Sequence, residues 1–173
     1  MELKDIAQII LIPILTVILS FTLDRIRERS TRSLKKDQET FASLKASFTD
    51  GRDLVIFFRD HSVGDPIHHD YVSQIDSLNR KLHQPDFIFI DRKLERHRRQ
   101  LEDKVSEFME ILGTNIFPQV NSDFYELNFR QGARRGEPEA SREFNTIKSR
   151  LDQIGTDIYK IYSEITVLAQ KRL

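Results

Sequence analysis

Residues 144–168 read FNTIKSRLDQIGTDIYKIYSEITVL. Within them Phe144, Ile147, Leu151, Ile154, Ile158, Ile161, Ile165 and Leu168 alternate steps of three and four without a polar substitution. That is the seam of a helix that buries one stripe along its whole length. Pro138 stands where such a helix starts, because a missing N–H costs nothing in the first turn. Gly155, Tyr162 and Ala169 widen the stripe, which suits a helix packed inside a bundle better than a narrow two-stranded coil. Isoleucine at both seam positions also disfavours a parallel dimer. Two destinations are open for the seam: the core of the chain's own bundle, or a trimeric or tetrameric coil between chains.

Moving towards the N-terminus, 114–137 loses all periodicity and contains Pro118 and the run QGARRGE. It is read as an irregular connection and, with Phe117, Arg134 and Arg135, as the place where a partner would be met. Before it, Leu94, Leu101, Val105, Phe108 and Leu112 mark a charged helix from about Asp91 to Leu112, with Gly113 placed to cap it. Val72, Ile75, Leu78 and Leu82 mark another, expected to start with Asp65 as N-cap and Pro66 at its first position. Pro85 ends it, because the residue before a proline is pushed out of helical space. Leu34, Phe41, Leu44, Phe48, Val55 and Phe58 predict a first bundle helix ending near His61.

Residues 6–23, IAQIILIPILTVILSFTL, carry no ionisable side chain. As a helix this run is about 27 Å long, enough to cross hydrocarbon. Lys4 alone precedes it, whereas Arg25, Arg27, Arg29, Arg32, Lys35 and Lys36 follow, so the positive-inside rule sets the C-terminal part in the cytoplasm and the N-terminus outside. Arg25, Arg29, Arg32 and Lys36 fall on one helical stripe, an expected contact with lipid headgroups. The fold expected from the sequence is therefore all-α: a transmembrane anchor at 1–23, then an antiparallel cytoplasmic bundle of about four helices. Residues 24–61 supply the basic stripe and first bundle helix, and 62–173 the rest.

Lysine plus arginine and aspartate plus glutamate number 27 each in 173 residues. No overall field gathers nucleic acid, which is not an expected partner. Cysteine is absent, which removes disulfides, thiolate metal ligands and cysteine nucleophiles. The five histidines include no pair at i and i+4, and His68 and His69 would point about 100° apart on one helix. Neither a metal nor another cofactor is expected.

Arg92-Lys-Leu-Glu-Arg-His97 is an Arg followed by His five positions later. It resembles the signature of the HEPN family of all-α ribonucleases. The resemblance spans six residues and implies a membrane-tethered nuclease or nucleotide hydrolase in which Arg92 and His97 handle the phosphate and a proton. The preferred expectation is a membrane-anchored protein without a catalytic site. It would associate with a protein partner or with itself, and could act as a self-assembling membrane effector.

Overall fold

The computed structural model describes residue 28, residues 30–119 and residues 122–173. Helix α1 covers 30–49. It is followed by α2 (Leu54–Asp60), β1 (Ile67–His68), α3 (His69–Leu82) and α4 (Arg92–Asn115). Then come β2 (Ile116–Pro118), β3 (Phe124–Leu127), α5 (Arg130–Arg134) and α6 (Pro138–Arg172).

The four long helices run antiparallel to their neighbours. Arg150 of α6 bonds Glu107 of α4, and His97 of α4 faces Glu164 of α6. Gln38 of α1 reaches the carbonyl of Leu173, while Phe48 stacks on Tyr162 at 3.9 Å. Lys81 and Gln74 of α3 bond the carbonyls of Ser43 and Ser47 on α1. Inside, Phe48, Phe57, Phe58, Leu101, Val105, Phe108, Leu151, Ile154, Ile158 and Ile165 belong to one buried apolar cluster. Phe58 packs beside Gly155 of α6, where an added Cβ would meet its ring at 3.5 Å, an ordinary contact.

The all-α expectation is corrected by a three-stranded antiparallel sheet of order β1-β3-β2. Residues 114–137 are not an irregular loop: they hold β2, β3 and α5. Ile116 pairs with Leu127 and Phe117 with Glu126, while Ile67 pairs with Tyr125. The strands are two to four residues long, too short to show the alternation that betrays a strand in sequence.

The membrane architecture is corrected as well. Among the described residues no helix is long and apolar enough to cross a membrane. The two that exceed a bilayer in length, α4 and α6 at 24 and 35 residues, carry charged side chains on nearly every turn of α4 and most turns of α6. Charges of that density are costly in hydrocarbon. The expected single-pass placement, with its outward N-terminus and cytoplasmic domain, therefore has no support in the described helices. The stretch assigned to it, 6–23, lies outside the described residues.

Boundaries shift for local reasons. The first helix does not reach His61: Gly51 at φ +87° breaks it, and Asp53 restarts it by accepting from the N–H groups of Val55 and Ile56. Pro66 does not open α3, because Ile67 and His68 are drawn into the sheet and His68 becomes the N-cap. Gly113 does not cap α4 but lies within it, two residues before its end.

Candidate functional site

Helices α4 and α6 meet through the core positions and diverge towards solvent. Between them runs an open groove of about 560 Å³, lined by Lys93 and His97 on one side and Tyr159, Lys160, Ser163, Glu164, Val167 and Leu168 on the other. Its floor is apolar, and Val167 is 48% exposed. A second depression of about 340 Å³ continues it, sharing Lys160 and Glu164 and adding Gln100, Asp103, Lys104, Asp157 and Ile161. Lys104 donates to Glu107 at 2.8 Å, and that carboxylate holds the lysine pKa above its usual value.

The expected seam divides at this groove. Leu151, Ile154, Ile158 and Ile165 are buried, together with Gly155, Tyr162 and Ala169. Phe144, Ile147, Ile161 and Leu168 are only partly covered and pack on the rim of the core. Of this second set Ile161 and Leu168 line the groove, with Tyr159 and Val167 beside them. Those two were not singled out in the sequence, although each stands next to a seam position.

The Arg92–His97 pair is not brought together. The two residues are five apart, about 140° around the helix. Arg92 lines a depression with Phe89, Ile90, Glu95, Arg96 and Arg99, while His97 lines the α4–α6 groove. His97 Nδ1 donates to the carbonyl of Lys93 at 2.8 Å, and its Nε2 lies 3.5 Å from Glu164. Both ring nitrogens are thus engaged within the helix pair.

Of the expected lipid stripe, Arg25 and Arg29 lie outside the described residues. Arg32 pairs with Glu28, and Lys36 donates to the carbonyl of Asp86 at 3.0 Å. Phe117, named for partner contact, is a half-buried sheet residue. Arg134 and Arg135 are exposed at the end of α5.

Two arginines missed by sequence reasoning are buried. Arg98 donates to Glu95, Glu102 and the carbonyl of Leu82. Burial alone would lower its pKa, but the two carboxylates raise it. Arg130 donates to Glu126 at 3.0 Å, with both residues nearly inaccessible. These pairs tie helices and sheet together, and neither arginine lines the depressions described above. One further cluster, His68, His69 and Asp70, brings three possible metal-binding atoms within 4.8 Å of one another.

The fold and surface define a helical domain with a small sheet and an open groove between two of its long helices. Comparison with protein families, curated proteins and solved structures gives no match for this chain.

Proposed function

We propose that this chain is a helical association domain that pairs with a second copy of itself across the α4–α6 groove. The observation that carries this reading is the partly covered row Ile161, Val167 and Leu168 beside Tyr159, flanked by opposite charges one turn apart, Lys160 and Glu164. Lys160 has no ion-pair partner among the described residues. A two-fold axis crossing α6 between these two positions sets each lysine against the other copy's glutamate, an isologous and self-complementary arrangement. The apolar row supplies the burial, and the charges fix register and direction.

Sedimentation equilibrium on the purified full chain tests it. A dimer at micromolar concentration is expected, lost in Val167→Glu. Lys160→Glu should weaken it, and the swap Lys160→Glu with Glu164→Lys should restore it. A wild-type chain that stays monomeric, or a dimer indifferent to Val167→Glu and to the charge swap, overturns the proposal.

A further inference from the structure

We infer that His68, His69 and Asp70 form a binding site for one divalent transition-metal ion of the zinc or nickel class. On a single helix adjacent histidines diverge, which is why their spacing argued against a metal. Here the junction between β1 and α3 runs between them: His68 has extended backbone at φ −62°, ψ 139°, and His69 opens the helix. The two imidazoles consequently lie side by side, with centroids 5.0 Å apart and planes 32° from parallel.

The carboxylate of Asp70 completes the group. Its Oδ2 is 3.3 Å from His68 Nδ1, and its Oδ1 is 3.2 Å from His69 Nε2. Ligand bonds of about 2.0–2.1 Å in a tetrahedron put neighbouring donors about 3.3 Å apart. Each nitrogen stands at about that spacing from one of the two carboxylate oxygens, and one donor atom from each residue lies within 4.8 Å of the others, so a small closure brings the three onto one ion. Two imidazoles and a carboxylate are the donor set that zinc and its neighbours accept, leaving a fourth position for water.

His68 Nδ1 accepts the N–H of Asp70 at 3.2 Å, so an ion must take over the single lone pair that caps α3, and Asp70 Oδ2 stands 3.3 Å from that nitrogen. The positive charge now beside that oxygen belongs to Arg52, whose Nε donates to it at 3.2 Å. The arginine is half exposed and lies 5.7 Å from the centre of the Tyr71 ring, so it has an alternative seat when an ion arrives. The scaffold is held independently of the ion. His68 packs edge-on against Phe124, and the His69 N–H donates to the carbonyl of Asp123 at 2.8 Å.

Isothermal titration of the untagged full chain with Zn²⁺ and with Ni²⁺ at neutral pH tests the site. One ion per chain is expected, with affinity falling at least about tenfold in His69→Ala and in Asp70→Asn. Arg52→Ala should tighten binding, because it removes the competing cation. His69 is 53% exposed through its side chain and keeps its backbone bond when truncated, and an unchanged far-UV circular dichroism spectrum verifies folding. His61, His83 and His97 are common to all variants, so the differences report this cluster alone. Absence of one-to-one binding, equal affinity in His69→Ala, or weaker binding in Arg52→Ala would each overturn the assignment.

Discussion

Helix α4 and the sheet with α5 each hold a buried arginine, yet they use it differently. Arg98 takes Glu95 and Glu102 from its own helix and reaches one carbonyl beyond it, that of Leu82. Three groups accept from it, and Glu95 accepts from Arg99 and the Phe89 N–H as well. Arg130 has a single close partner, Glu126, which belongs to β3 while Arg130 opens α5. Asp65 stands further off at 4.0 Å. The network on α4 is therefore local to its own helix, with one tie to α3. The sheet region has one bond joining two elements that share little else of their own sequence pattern. Local repetition makes the first region robust, and the second depends on contacts between distant parts of the chain.

The sharpest way to break this contrast is to remove each arginine. Arg98→Ala leaves the Leu82 carbonyl without this donor and takes the buried cation from Glu102 and Glu95, of which Glu95 keeps Arg99 and the Phe89 N–H, and should cost about 3–5 kcal/mol of unfolding free energy in urea titrations. Arg130→Ala strands one carboxylate and should cost about 2–3 kcal/mol. Equal losses would mean that the sheet is as tightly coupled to the core as the helices are.

Glycine replacements probe the same contrast with smaller effects. At Gly132 in α5 a new Cβ would sit 2.7 Å from the Ala140 Cβ and the Glu137 carboxylate. Gly132→Ala should cost about 1–3 kcal/mol. Gly113 in α4 has open space around it, so Gly113→Ala should gain about 1 kcal/mol from helix propensity alone. Thermal melts of the two variants should move in opposite directions.

His61, at the end of α2, should give the smallest effect, read as a pH slope. Its ring stacks on Phe57 at 4.9 Å, and its buried Nε2 has no hydrogen-bond partner among the described residues. Burial holds its pKa below the ordinary histidine value, against the opposing pull of Asp65 and Asp152. The unfolded chain thus binds a proton near pH 6.5 that the folded chain refuses. This histidine's share of the stability is complete above about pH 6.5 and declines as pH falls through the depressed folded value. His61→Phe should keep the stack, gain about 1 kcal/mol near neutrality and flatten the slope on the acid side. A slope unchanged in this variant would assign it to carboxylates instead.

The helices were legible because each carries its own evidence. The positions that recur along residues 144–168 and 94–112 need no knowledge of the rest of the chain, and Pro138 and Pro85 mark where helices begin and end. The strands were not, because two to four residues cannot establish a period. Nothing in Ile116–Pro118 announces Leu127 as a neighbour. The cap at Asp53 was readable in principle, an acidic residue just before an apolar run, but Leu54 to Phe58 is crowded enough to hide the break at Gly51. The groove was half legible. The seam named Ile161 and Leu168, whereas the exposure of Val167 and the outward position of Lys160 appear only once α4 is laid beside α6.

By itself the sequence determined that this chain is mostly helical, that its C-terminal helix is long and buries one stripe, and that cysteine chemistry is absent. Each of these follows from local spacing or from composition. Only the tertiary structure decided which residues of the Phe144–Leu168 seam are buried inside the chain and that Ile161 and Leu168 remain at the groove. It also decided that Arg92 and His97 face different surfaces, and that His68, His69 and Asp70 converge where a strand becomes a helix. Side-chain convergence depends on the backbone direction at each residue, and at a junction between elements that direction is set by distant pairing partners rather than by neighbours in the chain.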